Sequence, residues 1–185
     1  MANILINFRL TAGYVTDGAG QTYVLGEVYP VTRGGWTFGW DTNRSGDARD
    51  RNNTTYDVRI AGINQNNADT AIFRVDLPST GGYRVGLALG DINAQTNIQA
   101  VIKDNTTTKL TIGPTTISSE NYIDALGTIY TDQTWPGSNQ LSAELTFATT
   151  TFFLELTGSA GCIAHLRVQS VDAGPARLIF RNANA

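Results

Sequence analysis

Lysine is almost missing from this chain: it occurs only at Lys103 and Lys109, and glutamate is limited to Glu27, Glu120, Glu144 and Glu155. Surface helices draw heavily on both residue types, so their scarcity argues against a helical protein. Cysteine occurs once, at Cys162, which excludes an intrachain disulfide and a cysteine-based metal framework. With Ile163 and Ala164 beside it, Cys162 reads as a small buried hydrophobe. The lone histidine, His165, leaves little material for acid–base chemistry. No run approaches the length of a membrane-spanning helix. The opening MANILINFRL also lacks the basic region and long apolar segment of a signal peptide. Basic clusters are absent as well. Lys and Arg total 13 against 16 Asp and Glu, the net charge is −3, and the arginines are scattered apart from Arg49 and Arg51. Nucleic-acid binding depends on clustered cations that displace counterions, so nucleic acid is excluded as a direct partner.

What the chain does contain points to strands. Its 185 residues, 41% hydrophobic and 16% charged, suit one domain spanning residues 1–185 with a sizeable core. Thr, Asn, Gly and Ser fill the place of charge, and these residues favour strand surfaces and turns. Ile4 to Phe8 reads as the first strand and Thr22 to Val28 as a short one, with a loop between them over Gly13 to Gly20. From Val31 to Asn53, glycines and Asn43 punctuate a long loop, a length more often functional than not. Tyr56 to Ile60 is a short strand and Asn64 to Asp69 a polar turn. Phe73, Val75 and Leu77 alternate with Arg74 and Asp76. After a break at Pro78 to Gly82, alternation resumes with Tyr83, Val85, Leu87 and Leu89. The pattern predicts a β-hairpin with one apolar face, which needs a second sheet to cover it. Ile98 to Lys103 and Lys109 to Ile112 flank Asp104-Asn105 and predict a second hairpin. Strands follow over Thr115 to Ile123, Leu126 to Tyr130, Leu141 to Thr149, Phe152 to Leu156, Cys162 to Val171 and Arg177 to Arg181. The expected fold is an all-β, antiparallel β-sandwich of jelly-roll type.

Several segments carry a family resemblance. Phe38-Gly39-Trp40 leads to Arg49-Asp50-Arg51. An apolar strand from Phe73 ends in Asp76-Leu77-Pro78, and after a glycine turn Tyr83-Arg84-Val85 runs on to Gly90-Asp91. With the opening ILINF, Asp17, Gly18 and Tyr23, this order resembles the non-catalytic, galactose-binding-like β-sandwich modules found beside carbohydrate esterases and pectin lyases. The match covers the first half of the chain. It implies the fold and a general capacity for binding. It also implies a structural Ca²⁺, for which Asp17, Asp47, Asp91 and Asp172 are available, although no EF-hand loop is present.

Catalytic signatures are poor. No Gly-x-Ser-x-Gly elbow and no phosphate loop occur. His165 lies in an alternating strand, where Ile163, His165 and Arg167 are expected to share a face. Paired carboxylates for glycoside hydrolysis lack support, and spacing alone neither pairs nor dismisses Glu27, Asp41, Asp47 and Glu144. No enzyme is expected and no cofactor is required. The triplet Arg49-Asp50-Arg51, with Trp40, is expected to brace the long loop against Asp57, Asp76 or Asp91, because a guanidinium binds a carboxylate in bidentate fashion; the alternative is that one of its arginines grips an acidic sugar or a partner's carboxylate. For binding, aromatic rings stack on the apolar C–H faces of sugars while polar neighbours bond the hydroxyls. Trp36 near Arg33, and Trp135 near Asp132 and Gln133, meet that description; the same residues serve equally well at protein interfaces.

Two functions follow. One is a structural virion protein, a phage capsid decoration or cement protein or a tail component, in contact with protein partners or with itself in an oligomer such as a trimer. A free-standing module beginning at Met1, made in the cytoplasm without a leader, motivates it. The alternative is a carbohydrate-binding module of a polysaccharide-degrading system, extracellular if trimmed from a secreted enzyme. A glycan ligand is compatible with both. A small esterase or lyase is disfavoured by the single histidine.

Overall fold

The computed structural model describes residues 2–9, 22–24, 26–51, 57, 59–66, 69–137, 141–157 and 161–171. Within them the chain forms a β-sandwich. The first sheet runs β12 (Ile129–Thr131), β11 (Asn121–Ile123), β8 (Gly81–Asp91), β15 (Cys162–Ser170), β1 (Asn3–Phe8) and β2 (Thr22–Val24). β13 (Ala143–Phe147) also pairs with β8, and β6 (Gly62–Gln65) joins β15 to β5 (Ala48–Asp50). The second sheet runs β10 (Thr107–Ile117), β9 (Gln95–Asp104), β14 (Thr151–Thr157), β7 (Ala71–Asp76), β4 (Trp36–Trp40) and β3 (Val31–Arg33). The strand pairings are antiparallel except β1 with β2. No helix among the described residues is long and apolar enough to cross a membrane.

The chain crosses repeatedly from one sheet to the other: β6, β8, β11 and β15 lie in the first, β7, β9 and β14 in the second. This habit corrects the first expected hairpin. β7 and β8 do not pair with each other. β7 pairs with β4 and β14, and β8 with β15, β11 and β13. Their apolar faces instead oppose each other across the sandwich, where Phe73, Val75, Tyr83, Val85, Leu87 and Leu89 share one core. Alternation fixes which face of a strand is buried but not which strand lies beside it. The second expected hairpin forms: β9 and β10 pair around Asn105, which adopts φ 52°, a conformation that asparagine tolerates.

Four other expectations change. The long loop of residues 31–53 holds the β3–β4 hairpin, a short 3₁₀ turn at Ser45–Asp47, and β5. Asn64 and Gln65 belong to β6, and Asp57, Arg59 and Ile60 form no strand. Ile163 and His165 do not share a face, because a bulge lies between them in the pairing with β8. Ile163 therefore enters the main core, while Ala164 joins a second cluster with Ile60, Ile63, Ala88, Tyr122, Trp135 and Cys162. Gly13 to Gly20, Tyr56 and the strand expected over Arg177 to Arg181 lie outside the described residues.

Candidate functional site

The outer face of the second sheet is built from alternation. On β7, Ala71, Phe73 and Val75 are buried, so Ile72, Arg74 and Asp76 face outward. On β14, Phe152, Leu154 and Leu156 are buried, so Phe153 and Glu155 face outward. On β9, Ala100 and Ile102 point inward and Val101 and Lys103 outward. Register then aligns one row across four strands: Gly39 opposite Arg74, Arg74 opposite Phe153, and Phe153 opposite Lys103. At an ordinary strand spacing the row runs about 14 Å.

Gly39 is why the row begins with a tyrosine from elsewhere in the chain. The segment around Val28 lies alongside β4, bridged to Trp40. A Cβ at Gly39 would stand 2.5 Å from the Tyr29 backbone nitrogen, and its φ of 151° disfavours any side chain. With no side chain at that position, Tyr29 can lie over the end of the row. Its ring meets the Arg74 guanidinium, whose Cζ is 4.2 Å from the Tyr29 centroid and 6.0 Å from that of Phe153. Such stacking suits a planar, weakly hydrated cation.

Two carboxylates hold the cations in place. Asp76 accepts from the Tyr29 hydroxyl at 2.8 Å and from Arg74 Nε at 2.9 Å. Lys103 Nζ donates to Glu155 at 2.6 Å. Asp41, exposed at the end of β4, is tied to Ile72 by two hydrogen bonds, its Oδ1 accepting at 3.3 Å and its amide donating at 2.9 Å. The Tyr29 phenol is raised above its usual pKa, first by the bond to Asp76 and then by burial and the charge of Asp76, with Arg74 opposing. Two depressions of about 200 Å³ each lie on this face. Tyr29, Trp40, Asp41 and Arg74 line one, Lys103, Asn105, Thr106 and Glu155 the other, and Ile72 and Phe153 belong to both. The surface is thus an apolar floor rimmed by groups that donate and accept hydrogen bonds.

The residues singled out from the sequence stand elsewhere. Trp36 is on β4, not in a loop, and is 9% exposed within the main core, directly opposite Arg33 on β3. Arg33 pairs with Glu27. Trp135 is in a loop as expected but 7% exposed, packed edge-on against Tyr122 and Tyr130 in the second cluster. Asp132 is partly buried, its amide donating to the Glu120 carbonyl at 2.9 Å, and Gln133 is exposed. Trp36 and Trp135 therefore belong to separate clusters, and neither offers an open ring face. Phe153, Ile72 and Tyr29 were missed. The signal for the first was present: two adjacent phenylalanines in an alternating strand must face opposite ways.

The triplet lies at the first sheet. Arg49 donates to the Gly46 and Ala48 carbonyls at 2.6 and 2.7 Å. Asp50 accepts from the fully buried Arg9 at 3.1 Å. Arg51 grips Asp91 in bidentate fashion, Nε to Oδ1 at 2.7 Å and Nη2 to Oδ2. Trp40 is fully buried against Phe8 and Phe73. His165 is 1% exposed, its Nδ1 lying 2.8 Å from Asn7 Oδ1. Of the four aspartates available for a Ca²⁺, Asp47 and Asp91 lie in the described residues. Asp47 and Asp91 are each held by an arginine, and no group of three or more His, Cys, Asp or Glu side chains converges among the described residues. Asp17 and Asp172 lie outside the described residues.

No protein-family model matches the chain, and no curated protein matches it in sequence. Among solved structures it is similar to a carbohydrate binding module, CBM6cm-2 from Cellvibrio mixtus lichenase 5A, determined in complex with cellotriose. The TM-score is 0.32 and the identity 13%, over 60% of this chain and 71% of that one.

Proposed function

We propose that this protein is a non-catalytic glycan-binding module whose binding surface is the outer face of the second sheet. The observation that carries the reading is the row from Tyr29 and Arg74 through Phe153 to Lys103. A sugar ring needs a flat apolar surface for its C–H face and nearby donors and acceptors for its hydroxyls. Phe153 and Ile72 supply the first; Asp41, Arg74, Asp76, Lys103 and Glu155 supply the second. A glycan array on the purified protein, with and without a chelator, tests the reading. Binding of a sugar class by the wild type and its loss in Phe153→Ala are the expected results. A blank array, or binding indifferent to Phe153→Ala, would overturn it.

A specific observation also favours a protein partner. Leu126 and Ile129, on the β11–β12 hairpin at one edge of the first sheet, are 55% and 49% exposed. Exposed apolar side chains on an edge strand invite association. This supports the reading as a virion structural protein, a decoration, cement or tail component, in which assembly uses this edge and the groove stays open for glycan. Light scattering on wild type and Leu126→Asp tests it: a defined oligomer that the substitution dissociates is expected. A wild-type monomer at every concentration would exclude self-assembly through this edge.

A further inference from the structure

We infer that the groove selects uncharged sugars over acidic ones, and that Asp76 and Glu155 are the residues that set this choice. The inference rests on the glycan-binding reading above and adds the ligand class.

The cations of the groove are Arg74 and Lys103, and each is already committed. Arg74 bonds Asp76 through Nε at 2.9 Å and turns its plane to the rings of Tyr29 and Phe153. A guanidinium captures a carboxylate with its edge, by two parallel N–H bonds, and one edge of Arg74 is occupied. Lys103 donates to Glu155 at 2.6 Å. One of the depressions is also lined by Asp41, which is exposed. Three carboxylates thus stand against two cations around the depressions lined by Ile72 and Phe153. An acidic sugar laid on Phe153 would bring a fourth carboxylate beside Asp76 and Glu155. The cations it would meet are already neutralised by those carboxylates, so its charge gains less there than beside an uncompensated cation. A neutral sugar meets no such opposition: the carboxylate oxygens accept from its hydroxyls, and Lys103 and Arg74 keep their partners while donating outward. Selectivity here is repulsive as much as attractive.

The test compares neutral hexaoses (cello-, xylo-, laminari- and mannohexaose) with hexagalacturonate by titration calorimetry, at low and high salt. The expected result is a neutral hexaose bound at least about tenfold tighter than hexagalacturonate, a difference of about 1.4 kcal/mol. Salt should narrow that gap, because screening weakens repulsion between partly exposed charges. Asp76→Asn with Glu155→Gln, both nearly isosteric, should narrow it further by strengthening hexagalacturonate binding. Hexagalacturonate bound as tightly as the best neutral hexaose by the wild type would overturn the inference and leave the glycan reading standing. Preference for a neutral sugar unmoved by salt and by both substitutions would show that Asp76 and Glu155 do not set it. Failure to bind any of the five sugars would remove both.

Discussion

The Tyr29 hydroxyl donates to Asp76 at 2.8 Å, joining a loop residue to the outward face of β7. The bond binds the phenol's proton to the fold, and with burial and the charge of Asp76 it outweighs the opposing pull of Arg74. The neutral phenol is therefore the form the fold favours. Its stabilising contribution is complete below the unfolded value near 10, and it is lost as pH rises through the higher folded value. Alkaline difference spectra of wild type against Tyr29→Phe isolate this one tyrosine. They should place its midpoint above the ordinary value, and Asp76→Asn should bring it down. Identical midpoints with and without Asp76 would mean the bond is absent in solution.

Phe152 and Phe153 are chain neighbours with opposite fates. Phe152 is fully buried, packed against Phe147 with centroids 5.7 Å apart, whereas Phe153 lines the outer depressions. Phe152→Ala should cost about 3–5 kcal/mol in denaturant unfolding, as cavity-forming substitutions of buried aromatics do. Phe153→Ala should leave stability within about 1 kcal/mol, as at most surface sites, while removing glycan binding. Equal stability losses at the two positions would contradict the assignment of faces.

Much of this architecture is legible in the chain, and the failures share a cause. Alternation identified the buried faces of β7 and β8, because the period of two is a local property; in β15 it failed at the bulge between Ile163 and His165. It did not show that β7 and β8 lie in different sheets, since pairing depends on where the chain turns after Leu77. The β9–β10 hairpin was readable because Asp104-Asn105 is itself a turn signal. The site was less legible. Tryptophans drew attention because their rings are large, yet size is also what places them in the core: Trp36, Trp40 and Trp135 are all buried. The open aromatic is a phenylalanine inside an apolar run, and Tyr29 reaches it only through the contact that Gly39 permits.

Gly39 is the residue on which that contact depends. A Cβ there would stand 2.5 and 2.6 Å from Tyr29 backbone atoms, which cannot swing aside as a side-chain tip would. Gly39→Ala should cost about 1–3 kcal/mol from backbone strain alone. It should also lower glycan affinity by pushing Tyr29 off Arg74. Gly35→Ala supplies the contrast. Gly35 has φ 79° in the β3–β4 turn but nothing within 4 Å of its Cβ position. It should lose stability and keep binding. Calorimetric titration of both variants distinguishes the cases, and unaltered affinity in Gly39→Ala would show that Tyr29 takes no part in the surface.

Asp104 closes β9 and is 4% exposed, and it anchors the turn between β13 and β14. Its carboxylate accepts from the Ala148 amide at 2.6 Å, the Thr149 amide at 3.1 Å and the Thr149 hydroxyl at 2.6 Å. Burial alone would raise its pKa, but the bonds from Thr149 and Ala148, with the charge of Lys109, outweigh burial and hold it below the ordinary 3.8. A depressed carboxyl stabilises the fold above its unfolded pKa, and that contribution fades as pH falls through the lower folded value. Asp104→Asn should therefore cost about 1–3 kcal/mol at neutral pH, the range for a buried hydrogen-bonded charge. The difference from wild type should shrink in strong acid, where the wild-type carboxyl is itself protonated. Urea unfolding of both proteins at pH 7 and again below the ordinary aspartate value measures this. A gap that stays constant across that range would mean that the turn is held by something other than the charge of Asp104.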